Sequence, residues 1–157
     1  MRKNYIYTVV FALMFGLCGF LNADAIAATA QKTPKIYTAM PLNVVASPSK
    51  YLNKTVKMQA TFDKFSTLGL DYKKALRKSS DYIGILIQRD DVVDHNIPLS
   101  EMKLFLKKDL AEKYIDLDTG DKIEITAHVF STALNDPWLD VQSLTVIKKA
   151  KKDESKK

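Results

Sequence analysis

Thr55–Phe65 reads TVKMQATFDKF, and Lys122–Phe130 reads KIEITAHVF. In the first stretch Val56, Met58, Ala60 and Phe62 alternate with Lys57, Gln59, Thr61 and Asp63. In the second Ile123, Ile125, Ala127 and Val129 alternate with Lys122, Glu124, Thr126 and His128. Successive side chains of a strand point to opposite faces, so this period of two predicts two half-buried strands. Tyr82–Gln88, YIGILIQ, is nearly all apolar and Ile-rich, which predicts a central strand buried on both faces. Trp138–Ile147 reads as a last strand with a broken phase. Leu139 and Val141 point one way, Leu144 and Val146 are out of step, and a bulge near Gln142-Ser143 restores the register.

Leu99–Ile115 admits two readings. Met102, Leu106, Leu110 and Tyr114 fall four apart, which suits one long helix capped by Ser100. Met102, Leu104 and Leu106 also alternate with Lys103, Phe105 and Lys107, which suits a strand at Glu101–Lys107 and a short helix at Asp109–Asp116. Asp118-Thr119-Gly120-Asp121 is a turn, and Ser66–Ser80, Asp90–Pro98 and Ser131–Pro137 read as loops. Met40–Tyr51, with Pro41 and Pro48 around Leu42, Val44 and Val45, forms at most one helical turn, stopped by Pro48.

The two clearest strands echo each other. One follows Tyr51-Leu52-Asn53-Lys54, and the other follows Leu117-Asp118-Thr119-Gly120-Asp121 and leads through a loop to a closing strand. From Val44 to Ile147 this pattern resembles an OB-fold, and among OB domains the tRNA-anti-like group. Ala60 and Ala127 stand where such domains often carry glycine, a departure that leaves the tight barrel bend less assured. The resemblance implies a mainly β fold, a small five-stranded OB-like Greek-key barrel with one short helix, and the residues before it read as a signal peptide. An OB barrel needs a strand before its helix, which selects Glu101–Lys107 as strand. It also implies a ligand surface on the second and third strands and the loops after the first and fourth. Tyr72, Lys73, Lys74, Arg77, Tyr82, Phe105 and Trp138 fall there, with Lys103 and Lys107 beside Phe105. Aromatic rings stack on bases at about 1–3 kcal/mol each, and cations meet phosphates or sulfates. The ordinary alternative is that Phe105 and Trp138 are packing residues and the tyrosines and lysines plain surface.

The start of the chain has the layout of a secretory signal peptide. Arg2-Lys3 precedes an apolar run from Tyr5 to Leu21, and small residues offer A-x-A sites ending at Ala25 and Ala27. The run falls just short of the roughly 18–20 residues that span a bilayer comfortably, so cleavage near Ala27 is favoured over an uncleaved anchor. Cys18 is the only cysteine, and the bulky Leu17 before it is unlike a lipoprotein acceptor site. Cleavage leaves a mature chain without thiols, suited to an oxidising compartment, periplasmic or extracellular. The expected organisation is a signal at 1–27, a linker at 28–41, the barrel at 42–147 and a lysine-rich disordered tail at 148–157.

The net charge of +6 is unevenly placed. Residues 148–157 hold six lysines against Asp153 and Glu154, while the part between signal and tail holds sixteen basic against fifteen acidic residues. Basicity therefore belongs to the tail, where Lys148, Lys149, Lys151 and Lys152 either keep a solvated end soluble or touch an anionic surface. His95 among Asp90, Asp91 and Asp94 suits a divalent metal in composition, although acidic loops are usually only solvated. The run Asp116–Asp121 fails as a calcium loop, because its glycine is one place early and Ala127 stands at the twelfth position. No nucleophile motif is present, and no cofactor is implied. The reading is an exported, non-catalytic OB-like binding module for an anionic or sugar-containing ligand or an envelope protein. The alternatives are a nucleic-acid-binding OB domain, disfavoured by export and by the near-neutral charge of the barrel, and an accessory envelope protein tethered by its basic tail.

Overall fold

The computed structural model describes residues 35–73, 77–92 and 97–151. The apolar run with Cys18, the cleavage sites, Lys74, Asp94, His95 and Lys152 lie outside the described residues. Among those described, no helix is long and apolar enough to cross a membrane.

In chain order the elements are β1 (Ile36–Thr38), α1 (Pro41–Ala46), α2 (Pro48–Tyr51), β2 (Thr55–Ser66), β3 (Tyr82–Ile87), β4 (Lys103–Lys107), α3 (Lys108–Ala111), β5 (Lys122–Ser131) and β6 (Trp138–Lys148). Short 3-10 turns follow α3 at Glu112–Tyr114 and precede β6 at Ala133–Asn135. Local propensity in 99–115 favours a helix, yet Lys103–Lys107 is drawn into the sheet. There Leu104 and Leu106 are buried between β3 and β6, and only the residues after Lys107 turn helical. Tertiary burial outweighs a propensity difference of a few tenths of a kcal/mol per residue.

The barrel closes because β2 serves two neighbours. Its first part, Thr55–Thr61, pairs antiparallel with β5, and Phe62–Ser66 pairs antiparallel with β3. Asp63 is the extra residue at the register shift between them, and such a bulge bends a strand and increases its twist. β3 continues to β4, β4 pairs in parallel with β6, and β6 pairs with β5, which returns to β2. The result is a mainly β, closed five-stranded OB-like barrel with a few short helices.

Inside lie Val56, Met58, Ala60 and Phe62 from β2, facing Ile123, Ile125, Ala127 and Val129 from β5, all nearly inaccessible to solvent. Ala60 and Ala127 are buried with their Cβ atoms accommodated, so the bend does not depend on glycine there. In β6 the register moves from Thr126↔Ser143 to Ala127↔Val141, so Gln142 is the bulged residue and both Val141 and Leu144 face inward.

Three expectations are corrected. Pro48 does not merely end a helical turn. It occupies the first turn of α2 just as Pro41 does in α1, where a missing N–H costs nothing. The segment read as a linker contributes β1, which pairs in parallel with Thr55–Lys57, and Pro41 is buried. The lysine tail is tied down at its root. Lys149 Nζ and the Ala150 N–H donate to the Asp121 carboxylate at 2.7 and 2.8 Å, and the Asp118 N–H donates to it at 2.9 Å.

Asp121 has no accessible surface. Burial pushes its carboxyl up, but the Lys149 ammonium and the two backbone N–H groups outweigh that and hold it below its ordinary value. A depressed carboxyl contributes stability above its unfolded pKa, near 3.8, that is lost as the pH falls through its folded value. Urea melts from pH 6 to pH 2.5 should therefore show stability falling below about pH 4. Asp121→Asn should be less stable than the parent at pH 6, and the gap should narrow toward pH 2.5. A gap independent of pH would mean that the ionised carboxylate contributes nothing.

Candidate ligand-binding face

Alternation in β3, β4 and β6 sends one set of side chains outward. Tyr82, Gly84 and Leu86 come from β3, Lys103, Phe105 and Lys107 from β4, and Trp138 and Asp140 from β6. The register sets Gly84 beside Phe105 and Phe105 beside Asp140. The outer side of the barrel thus carries a second apolar cluster. Phe105 and Trp138, 0% and 1% exposed, form its floor, with Leu70, Tyr72, Tyr82, Phe130 and Ala133 around them.

These rings are covered by described residues of the 67–81 loop, Gly69, Leu70, Tyr72 and Arg77 among them. Gly69 rests on them: a Cβ there would stand 3.2 Å from Trp138 Cζ3 and 3.3 Å from Phe105 Cζ, and its φ of +83° disfavours any side chain. Tyr72 then stacks on Trp138, ring centres 5.3 Å apart and planes 19° from parallel. Arg77 lies with its guanidinium carbon 4.0 Å from the Phe130 ring centre and 5.5 Å from that of Tyr82. It makes a two-pronged ion pair with Asp140, Nε to Oδ1 at 2.7 Å and Nη2 to Oδ2. That pairing holds the guanidinium pKa above its ordinary value.

The loop also braces itself. The Asp71 N–H donates to the Arg77 carbonyl at 2.8 Å, and the Ser79 N–H donates to the Asp71 carboxylate at 3.1 Å. The Ser79 hydroxyl and N–H hold the Asp71 carboxyl below its usual range. On the far side the 131–137 loop is anchored by the Trp138 indole, whose N–H donates to the Ala133 carbonyl at 2.6 Å. Leu134 and Asn135 there both take φ of +61°, and Leu134 points into solvent, 67% exposed.

The structure brings Tyr72, Arg77, Tyr82, Phe105 and Trp138 onto one face, with Lys73 exposed beside Tyr72. Phe105 and Trp138 offer no free surface to a ligand while the loop lies over them. Tyr72 and Tyr82 remain half-buried. Lys103 Nζ is paired with Asp136 at 3.1 Å, whereas Lys73, Lys78 and Lys107 are exposed and have no ion pair among the described residues. Phe130 and Asp140 complete the face and were not singled out from the sequence. The available signal was that Phe130 continues the outward series Lys122, Glu124, Thr126, His128.

Arg89 ties the acidic loop to the residues that flank it, with Nε donating to Asp91 at 3.1 Å and Nη1 to Glu101 at 2.5 Å. Among the described residues no cluster of three His, Cys, Asp or Glu could hold a metal ion. A larger cleft, about 920 Å³, lies away from the rings between α1 and strands β2 and β5, where Lys57 pairs with Glu124 at 2.7 Å.

No protein-family model and no curated protein matches the sequence. Solved structures with a similar backbone include a putative aspartyl-tRNA synthetase from Leishmania major Friedlin. It is 12% identical, with a TM-score of 0.47 over 80% of this chain and 23% of that one. Another is the asparaginyl-tRNA synthetase of Entamoeba histolytica in complex with asparaginyl-adenylate, 14% identical, with a TM-score of 0.46 over 77% of this chain and 25% of that one. The chain spans about a quarter of the length of either synthetase.

Trp138 is the only tryptophan, so its fluorescence reports directly on the loop. Gly69→Ala should lift the 67–81 loop from the rings, shifting emission to the red and raising acrylamide quenching while far-UV circular dichroism stays that of the barrel. Unchanged emission would show that the loop tolerates a Cβ against the indole. Trp138→Ala should destabilise by about 3–5 kcal/mol, the usual cost of truncating a buried aromatic.

Proposed function

We propose that this chain is an exported, non-catalytic binding module of the OB type, and that its outer β3–β4–β6 face takes a flexible anionic polymer of stackable rings. Single-stranded nucleic acid is the form that fits best. The observation that carries the reading is the pairing of rings with free cations. Two half-buried tyrosines on the face each stand next to exposed lysines, Tyr72 beside Lys73, and Tyr82 beside Lys78 and Lys107. Tyr72 already stacks on Trp138, and one further ring added to that pair would extend the column outward. A single strand is bound by this combination of stacking platforms and backbone-tracking cations, on the surface that OB barrels use for oligonucleotides and oligosaccharides.

The near-neutral barrel sets a limit. Three unpaired lysines neutralise about three phosphates, so binding should be weak and fall only modestly with salt. Anisotropy titrations with a fluorescent twelve-nucleotide oligothymidylate should give a log–log salt slope of about −2. Each of Lys73→Gln, Lys78→Gln and Lys107→Gln should reduce that slope by about 0.7. Tyr72→Ala should cost about 1–3 kcal/mol of affinity. Heparin, which supplies charge without bases, should bind without loss on Tyr72→Ala. An oligonucleotide that fails to bind at 20 mM salt, or binds indifferently to all four variants, would overturn the reading.

A further inference from the structure

A second cluster of cations and a tyrosine ring lies on another part of the barrel, near the start of β2 where β1 and β5 flank it. Tyr37 from β1 carries two ammonium groups against its ring, Lys35 Nζ at 5.2 Å and Lys54 Nζ also at 5.2 Å from the ring centre. Beside them opens a cleft of about 520 Å³, bordered by His128 of β5 and the bulged Gln142 of β6. Every polar side chain around it offers a hydrogen-bond donor, and no carboxylate lines it.

This arrangement is held in place by backbone. The Asn53 N–H donates to the Val129 carbonyl at 2.8 Å, and the Val129 N–H donates to the Lys54 carbonyl at 2.9 Å. Asn53 takes φ of +59°, a left-handed position that asparagine tolerates better than most residues. Lys54 Nζ donates to the Lys50 carbonyl at 2.6 Å, which fixes one of its three protons and leaves two. Neither Lys35 nor Lys54 has an ion pair among the described residues.

We propose that Lys35, Lys54 and His128 around the Tyr37 ring form a binding site for a tetrahedral oxoanion, a phosphate or sulfate group. Two like charges drawn to one ring repel each other, and the ring's quadrupole offsets this only in part. A doubly charged anion between them turns that repulsion into attraction. Lysine meets phosphate as a point charge on a flexible stem, so two converging lysines suit a compact dianion better than a planar carboxylate. Two ammonium groups and the absence of any carboxylate in the lining disfavour a metal ion. The site does not require the reading of the aromatic face. His128 does precede Phe130 by two residues on β5, about 7 Å along the strand, so a phosphate of a strand lying on that face has the reach to enter it.

The test is a titration of the protein with sodium phosphate against sodium chloride at constant ionic strength, followed by amide NMR. Saturable shifts should concentrate at Tyr37, Asn53, Lys54 and His128. Lys35→Gln and Lys54→Gln should each weaken binding by roughly fivefold or more, while Lys148→Gln leaves it unchanged. Unaltered dispersion of the remaining resonances certifies the fold of each variant. Shifts that do not saturate, that chloride reproduces, or that survive both substitutions would overturn the proposal. Titration with oligothymidylate then separates the sources. Shifts at Lys54 and His128 together with Tyr72 and Lys73 assign the site to a strand phosphate. Silence at all four, with phosphate still saturating the cleft, assigns it to a free oxoanion and counts against only the nucleic-acid reading of the aromatic face.

Discussion

The twelve residues of β2 are the constraint on which the barrel depends. A single strand pairs with β5 along its first half and with β3 along its second, so the sheet has no choice but to curl shut. The switch is possible because Asp63 is inserted out of register, and a bulge turns a strand toward a new neighbour without breaking its ladder elsewhere. Closure removes most of the free edges that make short β proteins prone to pair with one another. What remains at the rim is short: β1 contributes three residues and adds to β2 in parallel. The same closure brings β4 alongside β6 in parallel, and that contact places Phe105 and Trp138 next to each other on the outside.

An apolar pair on the outer surface of a barrel has to be covered or used. Here the 67–81 loop covers it, and its choice of contacts follows from the chemistry beneath. A glycine allows the backbone to lie flat on two rings, a tyrosine stacks on the indole, and an arginine answers the Asp140 carboxylate with both prongs of its fork. The planar guanidinium also lies over Phe130, which a lysine could not do as well. In consequence Arg77 is an internal counter-ion more than a free hand for a ligand, and the cations left for binding are the exposed lysines at the margin of the loop.

Much of this architecture was legible because strand alternation is a local signal. Alternate residues from Val56 to Phe62 and from Ile123 to Val129 face inward as their period requires, and the slipped phase of the last strand marked the bulge where it lies, at Gln142. The 99–115 stretch was different. Its spacing satisfied both periods, and what decides it is the burial of Leu104 and Leu106 between strands remote in sequence. Pro48 and Ile36–Thr38 were misread for a related reason, since a proline at a helix start and a three-residue strand each leave only a faint trace in composition. The site residues were named from the loops and face that an OB barrel would use, and five of them meet there. Which were covered could not be read from the sequence, because covering is a property of how Gly69 and Arg77 close on residues remote in sequence, from Phe105 to Asp140.

The distribution of charge carries the last step. Counting residues makes the domain almost neutral, yet neutrality conceals a sorting of paired from unpaired cations. Arg77, Lys103, Arg89 and Lys57 are each matched to a carboxylate, and Lys149 is matched to the buried Asp121. Lys73, Lys78 and Lys107 at the aromatic face, and Lys35 and Lys54 around Tyr37, have no such partner among the described residues. Around Tyr37 the two ammonium groups stand against the ring, and at the aromatic face the unmatched lysines neighbour Tyr72 and Tyr82 in sequence or register. A ring gives a cation weak company without neutralising it, so the field of each group stays available to an anion that arrives. Such a surface can attract a polyanion without a large net charge, and its affinity is set by where a few lysines are left unpaired, not by how many the chain contains.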